Sequence, residues 1–368
     1  MLKTHTTCPP NEVMHLLSQL LLEEHVGSRS ATAELDQRLT KISRQQFADL
    51  VELASTNHVI VRGLGAFLGR VRETGAHLPL DWTNEALTAE RARITNALCF
   101  LEEICAAFEE EKYDVTVIKS LDHWPDLGSD LDLYTNANSE KVISLMLNRF
   151  KAKIASRSWG DRLARKWNFL VPGLPEAVEV HVGRLGQTGE QVGIAAHLPG
   201  RARLVVVGER TFRVPSVSDR LMISTLQRMY RHFYFRLCDI VDSAALADAG
   251  NIDYLELRDL AHAAGIWEGV ATYLAIVSDY VEKYRGSGLE LPSFVLASAQ
   301  FGGAELYYSR GFLRIPIVPQ STSLYGSQLT ELFRRRELES TARLSLLPWL
   351  ATAAVVGQKI TGSDKGVW

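Results

Sequence analysis

Asp130-Leu131-Asp132-Leu133, preceded by Gly128-Ser129, is the stretch whose residue types could carry chemistry. In an extended strand, residues two apart point to one face, so Asp130 and Asp132 project side by side, roughly 6–7 Å apart, while the leucines face a core. Adjacent carboxylates repel unless a cation lies between them, and hard oxygen ligands suit Mg²⁺ or Mn²⁺. The Gly128-Ser129 turn offers backbone N–H groups and a hydroxyl to phosphate oxygens. A second alternating run, Ala177-Val178-Glu179-Val180-His181-Val182, puts three valines on one side and Glu179 with His181 on the other. If the two strands pair, three carboxylates converge, the ingredients of two-metal phosphoryl or nucleotidyl transfer. The bland alternatives are a solvated strand edge for the aspartates, a cross-strand ion pair for Glu179 and a satisfied imidazole for His181. Asp is depleted in strands, so two in one short run call for a reason.

Other polar residues are candidates for the same cleft. Lys119 ends the β-type run Val115–Ile118, where its ammonium could reach phosphate. Arg162, Arg165 and Lys166 read as a basic helical face beside Trp159 and Trp167, suited to triphosphate or to stacking a base. His232 and Arg236 fall one turn apart on an amphipathic stripe running from Met222 to Ala244. Arg334-Arg335-Arg336 reads as a solvated helix face.

These residues need elements to position them. Apolar residues at helical spacing predict helices over 11–26, from Ser43 through Leu53, and over Phe67–Val71, with Gly63 and Gly65 as an interruption. Gly75, Pro79 and the polar run through Asn84 read as a linker. A long helix follows over Ala89–Glu111. The period then changes to short strands at Val115–Ile118, Asp130–Tyr134, Asn168–Val171, Ala177–Val182, Leu204–Val207 and Thr211–Val214, with a helix over Glu140–Arg149 opened by Ser139. Ser218 is a plausible cap for the returning helical stripe. Helices are expected again over Leu255–Ala264, Val270–Tyr284 and Leu329–Gly357, with Leu344–Val356 as a buried segment. The stretch 286–328 carries no assignment. The expected architecture is α+β: a small mixed-sheet core over 86–215, flanked by helical modules at 1–85 and 216–368.

Composition sets the outer bounds. The chain has 368 residues, 40 Lys+Arg against 43 Asp+Glu, net charge −3, with 46% hydrophobic residues. That excludes disorder, collagen-like repeats and binding to nucleic acid through bulk positive charge. Cys8, Cys99, Cys105 and Cys238 form neither a CxxC pair nor a ligand-spaced Cys/His cluster, so a structural zinc site is not expected. Scattered cysteines, no apolar leader and no bilayer-length apolar run point to a cytoplasmic protein with no membrane partner.

With these residues in view, Ile118-Lys119-Ser120 followed by Gly128-Ser129-Asp130-Leu131-Asp132-Leu133 resembles the active-site signature of the polymerase-beta-like nucleotidyltransferase superfamily. The order of motifs over roughly 45–285 resembles the bacterial uncharacterised nucleotidyltransferase family within it. Those motifs are Phe47–His58, the Asp-x-Asp-Leu strand, Glu179-Val180-His181, the run His232–Asp242 and Asp253–Gly265. The sequence departs from that family at Lys119-Ser120, where the family has Lys-Gly, and in the loop Asp122–Ser129. The resemblance implies a nucleotidyltransferase core in which Asp130, Asp132 and Glu179 are catalytic and hold Mg²⁺ or Mn²⁺, and Glu179 or Asp132 serves as general base. Phosphate contacts from Ser120 and Ser129 go with it; Lys119, Gly128, Arg162 and Lys166 join them as nucleotide-binding candidates read from the residues themselves, with His181, His232 and Arg236 as candidates to line the cleft. The implied substrates are an NTP and a hydroxyl acceptor. A small molecule suits the slightly acidic chain, with a tRNA end, a protein hydroxyl or a non-catalytic nucleotide-binding module as alternatives. No motif bears on base preference or oligomeric state.

Overall fold

The structure, a computed structural model, describes residues 10–23, 29–74, 77–350 and 352–353. Cys8 and the expected helical tail beyond residue 353 lie outside the described residues.

The lead helices are α1 (Pro10–Leu22), α2 (Arg29–Thr40), α3 (Arg44–Thr56), α4 (Ile60–Thr74) and α5 (His77–Glu110). Ser43 caps α3 as expected: its hydroxyl accepts from the Gln46 N–H while the Gln46 side chain accepts from the Ser43 N–H. Gly63 and Gly65 do not interrupt a helix; α4 runs through both. A Cβ on Gly63 would lie 2.8 Å from Leu17 Cδ1, so this glycine serves the close approach of α1 to α4. The expected linker is likewise helical from His77 onward, because Pro79 stands in the first turn, where a missing N–H costs nothing.

The middle of the chain supplies β1 (Val115–Val117), β2 (Asp130–Thr135), α6 (Ser139–Arg149), β3 (Lys153–Ile154), α7 (Trp159–Leu163), β4 (Lys166–Leu170), β5 (Ala177–Val182), α8 (Val192–Arg201), β6 (Arg203–Val207) and β7 (Arg210–Val214). Five strands make one mixed sheet in the order β1-β2-β5-β4-β3, in which only β2 and β5 run parallel. β6 and β7 form their own hairpin. Leu131 and Leu133 of β2 and Val178, Val180 and Val182 of β5 are buried on one face of the sheet, as the alternation requires. The architecture is α+β, a small mixed sheet flanked by helices. The hydrophobic core is continuous from Val13 of α1 to Leu324, and α5 carries the chain across residue 85 without a break.

The C-terminal part contains α9 (Val217–Gln227), β8 (Tyr234–Phe235), α10 (Leu237–Asp248), α11 (Tyr254–Ala263), α12 (Trp267–Arg285), α13 (Ser293–Ser298), β9 (Tyr307–Ser309), β10 (Phe312–Arg314), α14 (Thr322–Arg334) and α15 (Leu338–Leu344). The cap of α9 is Ser216, whose hydroxyl accepts from the Asp219 N–H; Ser218 lies inside the helix. The expected continuous helix from Met222 to Ala244 is broken. Arg228–His232 form a widened π-type turn, Phe233 takes a left-handed conformation (φ 55°), and Tyr234–Phe235 pair with β10. The aromatic run Phe233–Phe235 suits a strand, and β10, nearly 80 residues away by sequence, provides the partner. The unassigned 286–328 stretch thus contributes α13, β9 and β10. Of the apolar run from Leu344, Leu344 itself is buried, but Leu346 and Trp349 are exposed, so the expected buried segment is not found among the described residues.

Candidate active site

Asp132 and Glu179 are direct register partners on the parallel strands β2 and β5, with Asp130 two residues upstream on the same face. Parallel pairing is what brings the two alternations into phase. β5's Glu179 and His181 share the face of β2's Asp130, Asp132 and Tyr134, and β4 adds Lys166 and Asn168 from the other side. These acids form the floor of a cleft of about 280 Å³. Its opposite wall is the π-type turn and β8, presenting Arg228, Arg231, His232 and Tyr234, then Arg236.

Lys119 reaches the acids because of its backbone. With φ 61° and ψ −55°, and the Ser120 N–H donating to Ile118 O at 2.6 Å, it is the centre of a γ-turn of the rare, strained hand. Its ammonium pairs with Asp132 and lies 3.3 Å from Glu179 Oε1. Lys166 Nζ pairs with Glu179 Oε2 at 2.9 Å and with Asp161 Oδ1 at 2.8 Å. His181 Nε2 is 2.8 Å from Glu179 Oε1 and 3.8 Å from Asp132 Oδ1. Burial pushes the Glu179 carboxyl up, but Lys119, the hydrogen bond to His181 and Lys166 outweigh it and hold the group well below the usual carboxylate range. Burial works against the Lys119 ammonium, yet Asp132 and Glu179 raise it above its ordinary value. Asp130, on the exposed side, lacks such a partner; burial, then Asp132 and Glu179, push it up to about 6.

The residues fit a divalent cation. Ligand atoms of Asp132, Glu179 and His181 lie within 4.8 Å of one another, and Asp130 faces the same space with a charge its neighbours repel. The Lys119 ammonium is the rival for that charge.

Several candidate residues have other positions or duties than the sequence implied. Ser120 is buried, and its hydroxyl is consumed within the fold: it accepts from the Asp132 N–H at 2.7 Å and lies 3.3 Å from Asp130 O. It fixes the start of β2. Gly128 and Ser129 line the cleft beside Asp130. Arg162 is exposed and lies over the Trp159 ring, away from the cleft-lining residues. The expected basic helical face does not form, because α7 ends at Leu163, Arg165 turns with φ 50°, and Lys166 begins β4. His181 is buried under Glu179, and its Nδ1 has no hydrogen-bond partner. His232 and Arg236 both reach the cleft, although the helix expected to carry them is interrupted.

Sequence reasoning missed His58, His123, Arg228, Arg231 and Tyr234 as cleft residues. The dense run Arg228–Arg236, with three arginines and a histidine among aromatics, was the signal for three of them, Arg228, Arg231 and Tyr234. His58 ended a motif of the family resemblance without being read as a cleft residue, and His123 had no signal, since the two arrive from separate turns. Burial, then Arg236, holds His58 well below its ordinary value, and burial, then Arg231, does the same for His232. Both are neutral imidazoles in a basic wall.

No family model matches the chain, and no curated protein matches it.

Proposed function

We propose that the protein is a nucleotidyltransferase that moves a nucleoside monophosphate from an NTP to a hydroxyl acceptor. The observation that carries this reading is the placement of Asp132 opposite Glu179 across parallel strands, with Asp130 beside them, facing a wall of arginines. Acids on one side and fixed cations on the other suit a substrate whose triphosphate is anionic and whose attacking hydroxyl must lose a proton.

Asp130, Asp132 and Glu179 would hold Mg²⁺ or Mn²⁺, which lowers the pKa of a bound hydroxyl and neutralises phosphate charge. Arg228, Arg231 and Arg236, with Lys119, bind the triphosphate and orient its α-phosphorus toward the carboxylates. The acceptor oxygen bonds to that phosphorus, the bond to pyrophosphate breaks, and the hydroxyl proton passes to Asp132, since Glu179 is held too acidic to take it. Neutral His232 can donate to a phosphate oxygen without competing for charge. A small-molecule acceptor fits a cleft of about 280 Å³ in a slightly acidic chain.

A second reading, a nucleotide-binding module without turnover, is favoured by one observation: Lys119 and Lys166 already neutralise Asp132 and Glu179. Calorimetry with a non-hydrolysable NTP, with and without Mg²⁺, on wild type and on Asp130→Asn/Asp132→Asn tests the common site. Metal-dependent binding lost in the variant is expected; equal binding under all conditions would remove the metal site. Pyrophosphate release across an acceptor screen separates enzyme from module. Salt dependence separates a tRNA acceptor, which loses activity steeply with salt, from a neutral small molecule.

A further inference from the structure

We infer that His58, His123 and Cys238 form a zinc site at the rim of the cleft, separate from the acid cluster. The three residues come from three separate places: the turn between α3 and α4, the turn ahead of β2, and the first turn of α10. Their ligand atoms lie within 4.8 Å of one another, and His123 Nε2 is 3.7 Å from Cys238 Sγ. With Zn–S near 2.3 Å and Zn–N near 2.0–2.1 Å, a tetrahedral shell sets its sulfur and nitrogen about 3.6 Å apart. The His123–Cys238 edge therefore already has the dimension of a loaded site, and His58, within 4.8 Å of both, need close by no more than about 1.5 Å to complete it.

The surroundings have the form that zinc ligands take. Asp242 Oδ2 lies 2.5 Å from His123 Nδ1, which fixes the ring with Nε2 directed toward Cys238, the carboxylate–histidine–metal arrangement. Asp242 is itself anchored by Arg62, which also pairs with Asp126, so the orienting carboxylate is held from a second element. Cys238 is fully buried, whereas His58 and His123 line the cleft. A metal here would have a dry thiolate side and an open fourth position toward the cleft, the pattern of three protein ligands plus water. Arg236 donates to His58 Nδ1 at 3.3 Å, so zinc and Arg236 compete for that ring. The soft sulfur and two imidazoles select zinc over the magnesium suited to the acids.

The test uses the full-length protein and Co²⁺ as a spectroscopic stand-in. One equivalent is expected to give tetrahedral visible bands with a thiolate-to-cobalt charge-transfer band, both removed by Zn²⁺. Cys238→Ser should abolish the charge-transfer band, and Asp242→Asn should weaken Zn²⁺ binding about 10–100-fold. Replacing Cys8, Cys99 and Cys105 together by Ser should leave the band unchanged, as should Asp130→Asn/Asp132→Asn, which keeps this result independent of the transferase reading. X-ray absorption on zinc-loaded wild type gives the answer even if Cys238→Ser does not fold: one sulfur at about 2.3 Å with nitrogen neighbours is expected. A shell of oxygen and nitrogen alone, or a charge-transfer band that survives in Cys238→Ser, overturns the site.

Discussion

Lys119 is the residue on which the acid cluster turns. It is held in a strained γ-turn and supplies the positive charge shared by Asp132 and Glu179. Lys119→Met leaves the buried Asp132 carboxylate without its ammonium, while Glu179 keeps Lys166 and His181, so the unfolding free energy measured in chelator should fall by about 3 kcal/mol. Adding Mn²⁺ should recover part of that loss, and Mn²⁺ should bind the variant more tightly than wild type when no nucleotide is present. A variant whose stability is indifferent to Mn²⁺ would speak against a cation site at this position. Asp130 gives the pH signature. Its folded pKa of about 6 lies above the ordinary value of 3.8. The folded state therefore binds the proton more tightly, and this group's contribution to stability is full below the unfolded value and is lost as pH rises from about 4 through 6. In metal-free protein, the stability of wild type relative to Asp130→Asn, read by thermal melting, should fall with rising pH across that window.

Two elements set the cleft's walls, and each can be perturbed from behind. The start of β2 depends on Ser120, whose hydroxyl accepts from the Asp132 N–H. Ser120→Ala leaves that buried donor unmet and should cost about 1–3 kcal/mol by denaturant unfolding, with weaker metal binding through displacement of Asp132. The opposite wall depends on α12. A Cβ at Gly269 would collide with the Tyr230 ring and hydroxyl, which are buried within the π-type turn bearing Arg228 and Arg231. Gly269→Ala should shift that turn and lower nucleotide affinity several-fold, though Gly269 touches nothing in the cleft. Unchanged affinity together with unchanged stability would show that the turn does not rest on α12.

At the scale of the whole molecule, Arg62 joins the lead helices to both sides of the cleft. From α4 it pairs with Asp126, in the loop ahead of β2, and with Asp242 of α10. Asp126 also accepts the Val61 N–H at 2.5 Å, so the start of α4 is tied to the loop that carries Gly128. Arg62→Ala takes the cation from buried Asp126 and leaves Asp242 with His123 alone. It should destabilise the fold by about 3–5 kcal/mol, and the loss should be smaller at acidic pH, where protonation relieves the unpaired charges. Equal losses at neutral and acidic pH would mean that packing, not charge, is what Arg62 supplies.

The acid face was legible in the sequence because side-chain direction in a strand is a local property: alternation alone put Asp130 with Asp132 and Glu179 with His181, and the leucines and valines opposite. The α+β architecture followed for the same reason, since the switch from helical to strand period is written residue by residue. What local pattern does not carry is partnership. The pairing of β2 with β5, the capture of Glu179 by two lysines, and the break that β10 imposes on the expected helix after Gln227 depend on chains distant in sequence meeting in space. The same physics hid His58, His123 and Cys238: no spacing rule gathers ligands from three turns, and only packing brings them within reach of one another.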